Sequence, residues 1–337
     1  MNAMQWNIQA ITLPLKYTWK ISRNATDEKT NFIVSFGDHY FSGKGEAAPN
    51  IRYGETPELL LQEFESFSRA ADQPVESVEE LDELFERLKI SYALRFAIAS
   101  AWTHFRFKGN RKALIQEFRL PFKDQVPISY TVPIMDPGEL KKFFEEQQLQ
   151  RFPLIKLKIN RELAFDLTRQ LSIIGNQNIL LDANEAFTDV EDCIRFLEQC
   201  KNFPIELVEQ PLPSSMKEEA TYMKRYSPFP VFADESITHQ PDMDYIINSY
   251  HGINMKLMKA GGYIEGKRIL TEAKKAGMKT MIGCMVETTL GISSALHLCG
   301  LADYADLDSF LLIQNEPYHL LQEKEGILSY ANANSIH

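Results

Sequence analysis

From Val126 onward the chain alternates between two kinds of segment, and this rhythm limits its fold more than any other feature. Short β-prone runs at 128–133, 154–159, 178–183, 205–209, 231–233, 252–256 and 279–283, with a last one around 309–313, are separated by helical patterns at 137–148, 162–175, 188–200, 214–226, 245–249, 264–277 and 289–300. About eight strand–helix units of twenty to thirty residues in some 190 residues is the spacing of a closed β/α barrel. An open doubly wound sheet would also alternate, but no glycine-rich turn of dinucleotide type follows the first strand. The expected fold class is therefore α/β, with a barrel from residue 123 to 337.

Residues 1–122 have a different character. Strands are expected at 5–13, 30–36 and 40–46, and helices at 57–70, 77–88 and 92–106. The last helix is rich in Ala and Phe with little solvent face, so it should be well buried. This is an α+β domain, joined to the barrel through a connecting segment at 110–122. Two stretches, 14–29 and 49–56, read as long polar loops of the kind that close over sites.

A composition of 44% hydrophobic and 24% charged residues suits a soluble globular protein, and the net charge of -10 without a Lys/Arg run argues against a nucleic-acid groove. No apolar stretch is long enough to span a membrane, and the amino terminus lacks the basic-then-apolar pattern of a signal peptide. Cys193, Cys200, Cys284 and Cys299 show no CxxC spacing and read as reduced, mostly buried residues. A cytoplasmic enzyme is the expectation.

The chemistry lies in what ends each strand. The run L-I-K-L-K-I-N places Lys156 and Lys158 on one face of a strand set among apolar residues. An edge strand could show them to solvent. In an interior they need carboxylates nearby. Asp182, Glu209 and Asp234 end the next three strands, in the contexts L-L-D-A-N, V-E-Q-P and F-A-D-E-S. A barrel brings all strand ends to one mouth, so the three acids converge as an all-oxygen site suited to Mg²⁺, one ion per subunit. No histidine ligand accompanies them; His239 and His251 read as surface residues.

Lys158 and Lys256 belong to the second and sixth barrel strands and should face each other across that mouth. Beside a cationic metal their pKa values would fall, leaving a neutral amine able to act as base. A substrate carboxylate held on Mg²⁺ can take up the charge left by removal of its α-proton, giving an enediolate. One lysine removes the proton and the other returns one to the opposite face, which inverts the stereocentre. Lys156 can hydrogen-bond the substrate carboxylate. Asn254 shares a strand face with Lys256, whereas Lys259 should point elsewhere or sit in the following loop.

On these residues the chain resembles the enolase superfamily, in its muconate-lactonizing-enzyme-like branch. Lys156-Leu157-Lys158 matches the branch's K-x-K, Asp182, Glu209 and Asp234 its Mg²⁺ ligands, and Lys256 its second base. The resemblance implies a (β/α)₇β barrel with an α+β capping domain, whose P-x-x-x-Y-G-E-T-like segment includes Tyr53. Within the branch the chain is similar to the dipeptide epimerases, of the L-Ala-D/L-Glu epimerase type. That likeness rests on the Asp306-x-Asp308 pair, which would bind a substrate ammonium; on Thr131, which would hydrogen-bond the substrate; and on Glu287, which would support the Lys256 side.

The implied activity is Mg²⁺-dependent epimerisation at the C-terminal residue of an Ala-Xaa dipeptide, with no membrane or nucleic-acid partner and with self-assembly of the sort relatives often show. The glutamate-specific relative carries an arginine in its first capping loop where this chain has Asn24, with Arg23 one residue earlier. Trp19, Ile51 and Tyr53 can line an apolar pocket, and the reading leans to a small or hydrophobic Xaa over Glu. Relatives also carry a short tail returning to the capping domain; after G-I-L-S-Y the given sequence lacks it, which implies either weaker domain closure or a chain that is incomplete as given.

Other readings remain open on sequence alone. An o-succinylbenzoate synthase or an N-acylamino-acid racemase would use the same metal and lysines, but neither needs Asp306 and Asp308. A muconate cycloisomerase is disfavoured for the same reason. Sugar-acid dehydratases generally use a histidine–aspartate pair that is not matched here. A non-catalytic metal-binding barrel would have no need of the opposed lysines.

Overall fold

A computed structural model describes residues 4–71 and 75–331. The two domains expected from sequence begin and end in residues 1–3 and 332–337, which lie outside the described residues, as does the segment bearing on a C-terminal tail.

The amino-terminal region is an antiparallel sheet, β1 (Gln5–Lys20), β2 (Ala25–Gly37) and β3 (Ser42–Ala47), in the order β1-β2-β3. The helices α1 (Pro57–Ala70), α2 (Val78–Leu88) and α3 (Tyr92–Arg106) follow. Local chemistry sets the helix starts: the Thr56 side chain accepts from the Leu59 N–H at 3.2 Å with Pro57 in the first turn, and Ser77 does the same for Glu80. Every residue of α3 from Ala93 to His104 is buried, as its apolar circumference requires. One side of α3 lies against β3 almost backbone to backbone. A Cβ at Gly43 or Gly45 would stand 2.1 Å from the carbonyl oxygens of Ala101 or Ala97, so only glycine allows the approach.

The stretch 14–29 is not a loop. β1 runs on to Lys20 and β2 starts at Ala25, paired through Trp19↔Thr26 and Lys20↔Ala25 after a register break between Pro14 and Trp19. The polar residues that suggested a loop are the exposed side of a long hairpin whose tip is only residues 21–24. The second expected loop does lack regular structure, save a single 3₁₀ turn at Ile51–Tyr53. The connecting segment 110–122 contains a short helix, α4 (Arg111–Glu117).

After β4 (Gln125–Pro127), eight parallel strands form a nearly closed barrel: β5 (Ser129–Val132), β6 (Leu154–Lys158), β7 (Asn178–Asp182), β8 (Ile205–Glu209), β9 (Val231–Ala233), β10 (Gly252–Lys256), β11 (Lys279–Gly283) and β12 (Tyr304–Asp306), neighbours in chain order. Around them lie α5 (Leu140–Glu146), α6 (Ala164–Ile174), α7 (Val190–Gln199), α8 (Lys217–Tyr226), α9 (Met243–Ser249), α10 (Leu257–Ala260), α11 (Tyr263–Lys275) and α12 (Thr289–Leu296). The last strand lies earlier than expected from sequence. The residues 309–313 instead begin with a 3₁₀ turn, Ser309–Leu312, and the strand is the short Y-A-D run before it. A terminal hairpin, β13 (Leu321–Lys324) and β14 (Ile327–Tyr330), pairs with β4.

The pleat of the barrel strands explains the site. Leu180, Leu207, Phe232 and Met281 form one apolar cluster. Two residues further along the same strands, on the same face, stand Asp182, Glu209, Asp234 and Gly283. The registers Lys158↔Asp182 and Asp182↔Glu209 bring the charged ends side by side.

Candidate active site

Asp182, Glu209 and Asp234 each offer an oxygen within 4.8 Å of the others, and all three are buried. Lys156 enters among them: its Nζ lies 2.9 Å from Asp182 Oδ2, 2.8 Å from Glu209 Oε2 and 2.6 Å from Asp306 Oδ2. The contact to Glu209 is close but not aligned for a hydrogen bond, and Glu209 Oε2 is a buried acceptor without a donor. Glu209 Oε1 accepts from Asn254 Nδ2 at 2.8 Å. Burial, then the charge of Asp182, push Glu209 up to about 8. Burial also raises Asp182, but Lys156 and Lys158 outweigh it and hold that carboxyl below its ordinary range. An all-carboxylate set with one oxygen unsatisfied and one acid forced towards its neutral form is short of positive charge. It fits a hard divalent cation such as Mg²⁺, and the triad is a metal-binding site of that type.

Lys158 and Lys256 flank this cluster from opposite sides. Lys158 Nζ donates to Asp182 Oδ2 at 2.6 Å, and Lys256 Nζ to Asp234 Oδ2 at 2.9 Å. They stand on β6 and β10, with the three acid-bearing strands between them in the sheet. The expected lowering of the Lys256 pKa is not what the protein's own charges produce. Burial pushes it down, but Asp234 together with Glu209 and Tyr53 more than offsets this and the net direction is upward.

Asp306 and Asp308 lie across the seam where β12 meets β5. Asp306 Oδ1 accepts from Ser129 Oγ at 3.0 Å, and Asp308 Oδ2 accepts from the Thr131 backbone N–H at 2.5 Å. Thr131 Oγ1 lies 3.2 Å from both carboxylates. Thr131 thus orients the acid pair with its N–H and O–H, and it also lines the cavity beside them. Burial and then the charge of Asp306 raise Asp308 to about 7. The pair faces a cavity of about 360 Å³ that also reaches Lys156, Lys158, Lys256 and Tyr53.

The capping residues close this cavity from above. Arg23 does not extend into it with an open guanidinium: Nη1 donates to Asn184 O and Glu185 Oε2, both at 2.9 Å, and Nη2 to Glu235 Oε1 at 2.8 Å. Arg52 grips the same Glu185 through Nε at 3.0 Å and Nη2 at 2.9 Å. Both capping loops are thus fastened to the turn after β7, where Asn184 and Glu185 adopt positive φ. Asn24, Tyr53, Trp19 and Ile51 line the cavity.

Several participants escaped the sequence reading. Lys259 is not turned away but 3% exposed, its Nζ donating to Asp234 Oδ1 at 2.6 Å and to the Asp234 carbonyl. In a strand it would share no face with Lys256; the chain turns into α10 right after Lys256, which returns it to the site. Glu235 and Gln210 directly follow metal-site acids in D-E-S and E-Q-P, and Gln210 Oε1 accepts from Asp234 N at 2.9 Å. Glu287 makes no direct ion pair with Lys256, but the Lys256 charge acts on its carboxyl and favours the ionised form. Its Oε1 accepts from Met285 N at 2.8 Å, and burial followed by the charge of Glu46 raises it to about 8. His239 and His251 are half-buried and not surface residues: His239 Nδ1 contacts Ala260 O at 2.7 Å and stacks on Tyr92, and His251 Nδ1 accepts from Val231 N.

Comparison with known proteins gives a consistent picture. Residues 139–325 match the model of the enolase C-terminal domain-like family. The chain is 30% identical over 333 residues to the L-Ala-D/L-amino acid epimerase of Flavobacterium johnsoniae, covering 98% of each. It is 32% identical over 331 residues to the enzyme of the same name from Pedosphaera parvula, covering 95% of this chain and 94% of the other. Among solved structures it superimposes with a TM-score of 0.87 on the dipeptide epimerase of Enterococcus faecalis V583 complexed with Mg and L-Leu-L-Tyr, at 26% identity and 99% coverage of both.

Proposed function

We propose that this chain, which belongs to the enolase superfamily in its muconate-lactonizing-enzyme-like branch, epimerises Ala-Xaa dipeptides at the α-carbon of the C-terminal residue. Family membership brings isomerase chemistry, Mg²⁺-dependent, on small amino-acid derivatives and dipeptides. The finer reading rests above all on one observation: Lys158 and Lys256 flank a carboxylate cluster from opposite walls of one mouth. The catalytic unit is taken as residues 123–337 and the capping domain as 1–122.

Asp182, Glu209 and Asp234 would hold Mg²⁺, which when bound anchors the substrate carboxylate and offsets the charge that builds up on deprotonation. Lys158 and Lys256 reach the α-carbon from its two faces; the neutral one removes the proton and the protonated one delivers its own to the other side. Lys156, held by Asp182 and Asp306, presents an ammonium to the substrate carboxylate. Asp306 and Asp308, fixed by Ser129 and Thr131, take the substrate ammonium, and the raised Asp308 marks a pair in need of a cation. A syn-elimination catalyst or an N-acylamino-acid racemase has no ammonium to place there.

Arg23 is engaged by Glu185 and Glu235, which a side-chain carboxylate on Xaa would have to displace. That supports a small or hydrophobic Xaa, packed near Tyr53 and Ile51. A mass-spectrometric screen of L,L-dipeptides with Mg²⁺ in D₂O tests the proposal. Deuterium should enter the C-terminal α-position of Ala-Xaa with inversion. Absence of exchange across the library would refute it, and a strong preference for Ala-Glu would refute the choice of Xaa.

A further inference from the structure

Six cationic side chains line the cavity, namely Arg23, Lys29, Arg52, Lys156, Lys158 and Lys256. Five of them have carboxylate partners: Arg23 and Arg52 on Glu185, Lys156 on Asp182, Glu209 and Asp306, Lys158 on Asp182, and Lys256 on Asp234. Lys29 is the exception. Among the described residues no carboxylate lies within ion-pair distance of it, and only burial acts on its ammonium, lowering its pKa. A half-buried ammonium on the wall of a binding cavity, partly stripped of water and without a counter-ion, is costly unless a ligand supplies the charge.

The strand register says which end of the substrate it would meet. Lys29 stands opposite Leu13 on β1 and shares a β2 face with Asn31, whose Nδ2 donates to Val286 O at 2.9 Å. Leu13 packs with Leu15, Val286, Leu312 and Ile313, and Leu15 bridges to Ile313. Lys29 is therefore above the ends of β11 and β12, the sector that carries Asp306 and Asp308. Arg23 is bound on the other side, above the turns after β7 and β9.

We infer that Lys29 forms a subsite for a carboxylate on the side chain of the first, amino-terminal residue of the dipeptide, so that an acidic first residue is accepted beside alanine and preferred over its neutral amide. The inference rests on the reading that Asp306 and Asp308 hold the substrate ammonium. A carboxylate three or four bonds from that ammonium, as in Asp or Glu, can reach a lysine on the neighbouring wall, where it replaces water around both charges. The contact lies away from the reacting carbon, so it changes binding more than chemistry.

The test compares L-Glu-L-Leu, L-Gln-L-Leu and L-Ala-L-Leu in the intact protein with Mg²⁺, alongside Lys29→Met and Lys29→Arg. The expected result is a kcat/KM at least tenfold higher for the Glu than for the Gln dipeptide, carried by KM. Lys29→Met should abolish that ratio and leave the rate on L-Ala-L-Leu within about twofold, while Lys29→Arg should retain most of it. A Glu/Gln ratio near one, or a ratio that survives Lys29→Met, overturns the inference alone. If no dipeptide is turned over, the underlying reading falls with it.

Discussion

Removing either proposed base should silence epimerisation without unfolding the protein, because each has a second ammonium standing behind it. In Lys158→Met, Asp182 Oδ2 keeps Lys156 at 2.9 Å. In Lys256→Met, Asp234 Oδ1 keeps Lys259 at 2.6 Å. Leaving a buried charge without a partner costs roughly 3–5 kcal/mol. With the partner retained, the loss in either variant should stay below about 2 kcal/mol, readable from urea unfolding at unchanged slope. Loss of a positioned acid or base costs about 10²–10⁴ in rate, or about 3–5 kcal/mol of barrier. The asymmetry is the sharper signal. Incubated in D₂O with separate L,L and L,D epimers, each variant should exchange the α-proton of one epimer without inverting it. The two variants should favour opposite epimers, followed by proton NMR of the α-signal. Epimerisation within tenfold of the parent in either variant, or exchange lost equally for both epimers in both, would refute the two-face arrangement.

The remaining expectations concern the scaffold and the metal. Glu46, fully buried on β3, accepts from Asn31 Nδ2 at 2.7 Å, Thr288 Oγ1 at 2.6 Å and Gly291 N at 3.0 Å, so it caps α12 from the capping domain. Glu46→Ala should cost at least about 3 kcal/mol in urea, and a loss under about 1 kcal/mol would be inconsistent with those donors. Burial lowers His104 to about 4 against about 6.5 unfolded, so the fold favours the neutral ring. Its contribution is complete above about pH 6.5 and is lost as pH falls through about 4, worth about 2–3 kcal/mol by pH 4.5. His104→Gln should flatten the stability profile over that interval, and an unchanged slope would count against the assignment. Chelation should abolish turnover, and Mg²⁺ at a hundred times its Kd should stabilise the parent by about 2.7 kcal/mol but not Asp234→Asn, as followed by thermal unfolding.

Much of this could be read from the sequence where one local rule governs. The strands 205–209, 231–233, 252–256 and 279–283 and the helices 57–70 and 92–106 have the bounds expected of them, because their hydrophobic period and caps agree with the fold. Where the reading failed, tertiary pairing had replaced local signal. Polar residues 14–29 form strand because the two arms of the hairpin pair with each other. The final barrel strand is only Y-A-D, too short to show a period, and a more apolar stretch nearby drew the assignment. At the site, residues that follow the strand alternation were legible. Lys259, Glu185 and Glu235 were not, because they reach the mouth from a short helix and turns after the strands, whose direction no periodicity gives.

Those missed residues alter how the site's charge should be understood. Around the mouth, Asp182, Glu209, Asp234, Asp306 and Asp308 face four buried ammoniums, Lys156, Lys158, Lys256 and Lys259, while Glu235 is answered by Arg23. Five carboxylates against four ammoniums leaves one negative charge without a partner, and Glu209 and Asp308 show where the deficit falls, at about 8 and about 7. They stand at different places, one among the metal-site acids and one at the proposed ammonium pocket. A divalent ion among Asp182, Glu209 and Asp234 would satisfy the first and compete with Lys156, Lys158 and Lys256 for the same oxygens, loosening the two bases from Asp182 and Asp234. Under the proposed function the second takes the ammonium that a dipeptide carries at its amino terminus and an N-acyl amino acid does not.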